Sequence, residues 1–365
     1  PLGLPMVDWA RSGPRPPAVC LLGGPGAAAA GAGRQARELP TALSSGEEVV
    51  PFARAASPAL AAAAARWLAA REREPQAGAL PDPRLKFGYF LSEVETRVGP
   101  QRAKAGLSQR FPWFGERGLA GEIAALEAEA AAARYEAVRL AVVREVRRSV
   151  AELWYLEQAL AITSEQVTLV DDLEQVLRAR YRNGSSSYAE LIRIQVERGK
   201  LGERLLELTD RRLPSEARLN ATLGREAGAI LPALPARLLS GPSLDDDLLR
   251  AGLTRNNPAL LGLDAEKRRA GKRADLAGKG AYPDLTLGLE FMETGPARID
   301  GVDDSGKDPL ALTLSITLPI CRGRVNAPAR VATARYRARE DPLHGQTLRK
   351  SAQLDQALFD PRLAL

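Results

Sequence analysis

The sequence predicts a mainly α-helical protein with a small β part, built from two structural repeats. Three observations carry this prediction. Residues 117–181 contain no proline and place apolar residues at helical spacing. Short segments of alternating apolar and polar residues follow proline-led turns, which is typical of strands. The same order of segments occurs twice in the 365 residues, which indicates two copies of one unit.

The composition favours extended helices over a large globular core. Aromatic residues are 5% and charged residues 26% of the chain, and its net charge of +6 comes from 51 basic and 45 acidic residues. Because the two signs are mixed along the chain, they are typical of solvated helix faces and predict no nucleic-acid partner. No apolar run reaches the roughly 20 residues of a membrane-spanning helix.

No group of residues predicts catalysis, a metal site or a cofactor. Cys20 and Cys321 have 300 residues between them, His344 is the single histidine, and Met6 and Met292 are the two methionines. Nucleophile-elbow, phosphate-loop and zinc-protease motifs do not occur. We therefore expect a protein that is not an enzyme.

The N-terminal segment, residues 1–54, has features of a degraded export signal. Arginines and Met6 precede a short apolar stretch that proline and glycine interrupt. Cys20 is a weak candidate for a lipid-anchor cysteine, because the PAV before it differs from the leucine-plus-small-residue pattern of such sites.

A long helical hairpin is predicted in the first repeat, residues 55–230. The first arm has one apolar stripe with steps of three and four: Val142, Val146, Val150, Leu153, Leu156, Leu160, Val167, Val170, Leu173 and Leu177. The return arm has another: Leu191, Ile194, Leu201, Leu205 and Leu208. At 1.5 Å per residue the first arm would span roughly 100 Å.

The segment YRNGSSSYAELI, residues 181–192, separates the two arms. Asn183 and Gly184 are residues that favour a left-handed helix end. Ser187 with Glu190 three positions later forms a capping box, which starts a new helix. The segment therefore predicts a helix stop, a short polar turn and a helix start.

Paired motifs define the repeat. SPAL at residues 57–60 recurs as NPAL at residues 257–260, each with a cap residue before proline at the first helical position. ALPDPRL at residues 79–85 recurs as AYPDL at residues 281–285 before a strand, and FPWFG at residues 111–115 recurs as LPICRG at residues 318–323. The second copy, residues 244–365, follows a linker at residues 231–243.

Each copy predicts two strands joined by a polar loop, at residues 92–104 and at residues 293–309. The last strand, residues 310–318, alternates cleanly between two faces. Its bulky face holds Leu310, Leu312, Leu314, Ile316 and Leu318. Its other face includes Thr313, Ser315 and Thr317. Such a strand occurs half-buried in soluble sheets or in the wall of a membrane barrel.

A barrel shared between chains fits these strands best. One hairpin per copy, flanked by long helices, predicts no local sheet of three or more strands. Four strands are also too few to close a barrel, which needs about eight. Three chains would supply twelve. In that barrel the bulky face of residues 310–318 would meet lipid, and Thr313, Ser315 and Thr317 would face the lumen.

These motifs resemble those of the TolC-like outer membrane efflux protein family. The resemblance rests on the doubled helix starts, the proline-led strands, LPI with Gly323, and YRNG ahead of Leu191 and Gln195. It covers roughly residues 55–340. The motif QRFPWFG at residues 109–115 is similar to the corresponding sequence of members from the heavy-metal exporter branch.

The resemblance implies a homotrimeric exit duct in the outer membrane and periplasm of a Gram-negative bacterium. Its partners would be outer-membrane lipid, a periplasmic adaptor of the membrane fusion protein class, and an inner-membrane pump of the resistance-nodulation-division type. The duct would conduct cargo passively. The hairpin turn would be the periplasmic tip, where the adaptor docks and the channel closes; it comprises Arg182, Asn183, Gly184, Ser185, Ser186 and Ser187.

The sequence departs from the family's pattern after Gly323. The last 42 residues, from Arg324, allow about 63 Å of helix and no return. Pro342, Gly345 and Pro361 lie where an uninterrupted helix is expected, and each proline predicts a break or kink. We therefore expect the second hairpin to be truncated at the C-terminus.

Two other functions stay open. A periplasmic adaptor also carries a long helical hairpin, but adaptors flank it with soluble β-domains, and the second copy of helix and strands argues against one. A helical scaffold without a transport role leaves the alternating strand at residues 310–318 unexplained.

Overall fold

The computed structural model describes residues 46–234 and 245–363. After a 3₁₀ turn at Gly46–Val49, the elements are α1 (Val50–Ala56), α2 (Pro58–Gly78), β1 (Arg84–Thr96), β2 (Gly99–Phe111), α3 (Glu116–Arg182), α4 (Tyr188–Thr222), α5 (Asp246–Asn256), α6 (Pro258–Lys279), β3 (Asp284–Thr294), β4 (Leu310–Thr317), α7 (Arg322–Arg337) and α8 (Glu340–Leu363). The order helix, strand, strand, helix therefore occurs twice. The predictions of an export signal, of a lipid anchor at Cys20 and of a linker beyond residue 234 lie outside the described residues.

Helices α2 and α6 begin alike because the same capping chemistry precedes both. The Ser57 hydroxyl accepts a hydrogen bond from the backbone N–H of Leu60 at 3.3 Å. The Asn257 side-chain oxygen accepts one from the N–H of Ala259 at 3.0 Å. Proline follows each cap at the start of the helix, where its missing N–H is not needed. Both predicted helix starts are confirmed.

The central element is α3, whose 67 residues correspond to about 100 Å of helix. Small side chains allow α2 to pack closely on its first half, where Ala70, Ala128 and Ala131 are buried beside Trp67. Helix α6 packs there as well, and a Cβ on Gly262 would lie 3.3 Å from that of Ala133. The second half of α3 pairs with α4, so the predicted hairpin is confirmed.

A hydrophobic core joins α1, α3 and α4 near the middle of α3. Its buried members are Val49, Ala53, Val146, Val150, Leu153, Leu219 and Leu223. The predicted stripe is thus confirmed from Val146 to Leu156, which is 3% exposed. Leu173, predicted in the same stripe, is 45% exposed, because among the described helices this end of α3 packs on α4 and Glu174 takes the buried position.

The four strands form a single antiparallel sheet in the order β1-β2-β3-β4. The expectation that no sheet of three or more strands forms within one chain is therefore wrong. Strand β2 pairs with β3 along its length, from Phe111 opposite Leu285 to Gln101 opposite Thr294. This pairing joins the two hairpins, which lie far apart in sequence.

The first predicted loop, residues 92–104, is also wrong, since β1 and β2 continue to a turn of two residues, Arg97 and Val98. Gly99 follows with a φ of +132°, which L-residues rarely adopt. A register shift between Tyr89 and Val94 interrupts the pairing of β1 with β2. The second loop begins at Gly295 and ends before β4, close to its predicted place.

Helices α7 and α8 run antiparallel to α5 and α6. Lys267 pairs with Glu340 at 3.0 Å, and Arg250 pairs with Asp355 at 2.7 Å. The predicted break at Pro342 is confirmed, because α7 ends at Arg337 and α8 begins two residues before the proline. Gly345 and Pro361 do not interrupt α8, which continues to its last residue. The predicted break at Pro361 is therefore wrong, since this proline lies within α8.

Candidate functional site: the hairpin tip and the apolar sheet face

The hairpin tip, residues 182–187, is a tight turn between α3 and α4. The N–H of Ser185 donates to the carbonyl of Arg180 at 2.8 Å, and that of Gly184 donates to Tyr181 at 3.0 Å. These two bonds close the end of α3 around Gly184, whose φ is +73°. Asn183 was also predicted to be left-handed, but its φ is −90°, so only the glycine adopts that conformation.

The predicted capping box is present. The Ser187 hydroxyl accepts a hydrogen bond from the N–H of Glu190 at 3.3 Å, and the Glu190 carboxylate accepts one from the N–H of Ser187. The Ser186 hydroxyl donates to the same carboxylate at 2.5 Å. The hydrogen bond from Ser186 and, to a smaller extent, that from the Ser187 N–H hold the pKa of Glu190 below its ordinary value. Ser186 and Ser187 therefore fix the start of α4.

Around this turn the surface is small and polar, with two tyrosines beneath it. The tip residues are exposed except for Ser186, which is half-buried. The rings of Tyr181 and Tyr188 lie 5.9 Å apart across the base of the turn. A Cβ at Gly184 would meet no atom within 4 Å. The tip therefore leaves room for another molecule to approach its backbone closely.

Centred on Glu174, ten residues before Gly184, is a polar network that sequence reasoning missed. The Glu174 carboxylate, on a side chain only 9% exposed, accepts hydrogen bonds from Arg178 at 2.7 Å and from Gln195 of α4 at 3.0 Å. Arg198 of α4 pairs with Asp171 and lies 3.8 Å from Glu174. We call these five residues the Glu174 network. It links the two arms roughly 15 Å from the tip.

Acid is expected to loosen this end of the hairpin. Hydrogen bonds from Gln195 and Arg178 hold the pKa of Glu174 below its ordinary value of 4.5. Because the pKa of Glu174 is lower in the folded chain than in the unfolded chain, its contribution to stability is complete above pH 4.5. That contribution is lost as the pH falls through the folded pKa. Amide hydrogen exchange of α3 and α4 near the tip should therefore stay protected from pH 7 to pH 5 and weaken below about pH 4.

Glu174→Gln separates this effect from general acid unfolding. At pH 7 the amide hydrogens of α3 and α4 near the tip should exchange faster in this variant than in the wild type. At low pH the two proteins should exchange at nearly the same rate. Glu165→Gln, which changes an exposed residue of the same helix, is the matched control and should behave like the wild type. Identical pH profiles for the wild type and Glu174→Gln would contradict the assignment.

One face of the sheet is apolar and exposed. The register aligns Leu85, Leu107, Leu289 and Leu312 in one row across the four strands. The row beside it holds Phe87, Ala105, Phe291 and Leu310. We call this surface the apolar face; its residues include Leu85, Phe87, Tyr89, Leu107, Leu285, Leu287, Leu289, Phe291, Leu310, Leu312, Leu314 and Ile316. Phe87 is 77% and Leu312 79% exposed, which is unusual for a folded chain.

The opposite face of the sheet is polar. Thr286 pairs with Ser315, and Gly288 pairs with Thr313. Thr313 is half-buried against Gly288, whereas Ser315 and Thr317 are exposed. Leu318, predicted to end the bulky face of this strand, lies just beyond β4, because the strand stops before Pro319. Within residues 46–234 and 245–363, no helix is long and apolar enough to cross a bilayer.

A small sheet with an exposed apolar face, together with a helix of about 100 Å that ends in a hairpin tip, is typical of outer-membrane channel proteins. Residues 49–225 match the family model described as outer membrane efflux protein. This match confirms the predicted resemblance to the outer membrane efflux protein family. The family consists of transport channels of the outer membrane of Gram-negative bacteria.

Solved structures share the fold. VceC, an outer membrane protein from Vibrio cholerae, is 21% identical, with a TM-score of 0.70 over 87% of this chain and 79% of VceC. CusC is 16% identical, with a TM-score of 0.69 over 87% and 77% of the two chains. The MtrE outer membrane channel from Neisseria gonorrhoeae is 17% identical, with a TM-score of 0.61 over 87% and 71%. The comparison with curated proteins gave no match.

Proposed function

We propose that three copies of this chain form the outer-membrane exit duct of a tripartite efflux system. The observation that carries the proposal is the exposed apolar face on a sheet built by both repeats. A soluble monomer would bury such a surface, whereas a membrane barrel exposes it to lipid. In this proposal Leu310, Leu312, Leu314 and Ile316 face lipid, Leu318 lies at the strand end, and Thr313, Ser315 and Thr317 face the lumen.

The proposed trimer follows from the edges of the sheet. Strands β1 and β4 each have only one neighbour among the described residues. Pairing β4 of one chain with β1 of the next would satisfy both edges, and three chains would close a barrel of twelve strands. The long helices would then continue from the barrel into the periplasm. This arrangement supports a passive, water-filled path in which the chain carries out no chemistry.

At the other end, the hairpin tip is the proposed docking surface for the periplasmic adaptor. Its residues are Arg182, Asn183, Gly184, Ser185, Ser186 and Ser187. The left-handed Gly184 and short serines support this role, because they let a partner helix reach the turn. The inner-membrane pump, of the resistance-nodulation-division type, would supply the energy. The motif at residues 109–115 further supports the proposal that this duct belongs to the heavy-metal exporter branch of the family.

A pair of neighbouring lysine substitutions tests the barrel. Leu314 and Ser315 are adjacent, both exposed, and on opposite faces of β4. A lysine facing lipid near the bilayer midplane is destabilising by about 2–4 kcal/mol, whereas lumen positions tolerate charge. We expect Leu314→Lys to remove most of the trimer from the outer-membrane fraction, and Ser315→Lys to retain it. The measurement is the mass of the detergent-extracted protein by light scattering.

Equal losses from both lysine variants would contradict the assignment of faces. A wild-type chain that is monomeric and soluble after export would contradict the proposed duct altogether. A periplasmic adaptor is the second candidate function. The strands of both repeats form one sheet, whereas an adaptor flanks its hairpin with soluble β-domains, so the sheet does not favour an adaptor.

A further inference from the structure

The polar face of the sheet carries more positive than negative charge. Its charged side chains stand at alternate positions of β1, β2 and β3, in the rows that the register pairs across the sheet. Cations outnumber carboxylates among them. The charged residues of these rows are Arg84, Lys86, Lys104, Arg110, Asp284 and Glu290.

Most of this positive charge is not neutralised by ion pairs. Arg110 forms an ion pair with Asp284, so these two residues add no net charge. Among the residues that the structure describes, the other three cations form no ion pair, and neither does Glu290. The three cations are all exposed, and we call them the basic cluster: Arg84, Lys86 and Lys104. The basic cluster leaves an excess of two positive charges per chain over the carboxylate of Glu290.

Glycines let the long charged side chains lie along the sheet. Gly88 pairs with Lys104, and a Cβ on this glycine would lie 3.0 Å from Cε of the lysine. Gly106 pairs with Glu290, and a Cβ there would lie 3.3 Å from Cγ of the glutamate. The Lys104 ammonium group lies 6.0 Å from the centroid of the Phe90 ring, a contact that leaves its charge in place. The charges therefore line the polar face instead of projecting far from it.

In the proposed barrel this face would surround the water path. The basic cluster occupies three consecutive rows of the face, those of Arg84, Lys86 and Lys104. Three chains would therefore place nine cations in one band around the lumen. Rings of lysine and arginine are typical of pores that select anions.

The field of such a band would reach most of the lumen. Twelve strands about 4.8 Å apart and tilted by about 40° give a wall of about 75 Å circumference, with a radius of about 12 Å. Salt screens charges over a Debye length of about 10 Å at about 0.1 M ionic strength. An ion on the barrel axis would thus lie close to one Debye length from the wall, and most other paths would lie nearer.

We propose that the basic cluster makes the barrel prefer anions to cations. This inference rests on the proposed function, since it requires the polar face to line the lumen. A wall with net positive charge concentrates anions in the water beside it and depletes cations. Negatively charged cargo would therefore pass this part of the duct more readily than a cation of the same size. Metal cargo would pass it more readily as an anionic complex than as a free ion.

Ion selectivity of the purified full chain in a planar lipid bilayer tests this inference. With KCl more concentrated on one side, the reversal potential gives the ratio of chloride to potassium permeability. We expect a ratio above one that rises when both solutions are diluted, because dilution extends the range of the wall charge. Lys86→Glu combined with Lys104→Glu should bring the ratio below one, because it changes two positive charges per chain into two negative charges.

Substitutions at the same two positions separate charge from structure. Lys86→Arg combined with Lys104→Arg keeps both charges and should keep the wild-type ratio. Lys86→Gln combined with Lys104→Gln removes both charges and should give a ratio between those of the wild type and the glutamate variant. Light scattering checks that each variant assembles as the wild type does. The glutamine variant provides the test if the glutamate variant does not assemble.

The outcomes distinguish the inference from the proposed duct. A conducting wild type whose permeability ratio is one or less would overturn the inference. So would a ratio that neither the glutamate nor the glutamine variant lowers, since the basic cluster would then not act on the permeating ions. A wild type that forms no conducting pore would contradict the proposed duct itself, and the inference with it.

Discussion

Gly99→Ala is expected to destabilise the folded chain by about 4 kcal/mol or more, among the largest effects of a single substitution. Gly99 has a φ of +132°, and an added Cβ would lie 1.8 Å from the carbonyl oxygen of Gly295. The obstacle is backbone, so no side-chain rotation relieves it. The Gly295 N–H also donates to the carbonyl of Pro100 at 2.8 Å, which holds the two segments together. Melting of the detergent-purified protein measures the loss.

Gly301→Ala is the matched control for this prediction. Gly301 lies in the loop between β3 and β4 with a φ of +80°, and a Cβ added there would have no atom within 4 Å. It therefore carries the conformational strain without the close approach, and about 1–2 kcal/mol is expected from that strain. Similar losses from Gly99→Ala and Gly301→Ala would mean that the contact with Gly295 does not hold the far end of the sheet.

The features predicted correctly from sequence are those that depend on neighbouring residues. The hairpin follows from apolar spacing, and its turn follows from Gly184 and the pair of Ser187 and Glu190. The starts of α2 and α6 follow from Ser57 and Asn257. Local rules fail within the same chain at Pro361, which lies within the bounds of α8 although proline is unfavourable inside a helix.

Long-range contacts account for most of the errors. The pairing of Phe111 with Leu285 joins segments 174 residues apart, and neither strand alone indicates its partner. The polar composition of residues 92–104 predicted a loop, yet backbone pairing with β3 keeps Gln101 to Lys104 in a strand. Sheet formation depends on cross-strand neighbours more than on intrinsic preference. The single sheet could therefore be found only in three dimensions.

The Glu174 network was missed for a related reason. Glu174 lies among Asp171, Asp172 and Arg178, a charge pattern that is typical of a solvated helix face. Its burial depends on Gln195 and Arg198, which the turn brings opposite it. The tip, in contrast, was predictable, because its glycine and serines act through bonds within a few residues. What binds the tip is a property of another molecule and stays a proposal.

Gly184→Trp is expected to abolish most efflux while the trimer remains intact. Gly184 is the only left-handed residue of the tip, and a side chain there loses about 1–2 kcal/mol of local stability. The new ring would also project into the open space through which the adaptor is proposed to reach the turn. Efflux is measured in cells that also express the partner adaptor and pump, and assembly is measured by the mass of the extracted protein.

Two further variants divide this effect into its causes. Gly184→Asn should keep the turn, since asparagine tolerates the left-handed conformation, and it adds only a short polar side chain. Gly199→Trp places the same bulk on exposed α4, fifteen residues along, where a built Cβ also meets no atom within 4 Å. If close approach at the turn matters, efflux should be highest with Gly199→Trp, lower with Gly184→Asn and lowest with Gly184→Trp. Normal efflux with Gly184→Trp would mean that the adaptor docks elsewhere on the hairpin.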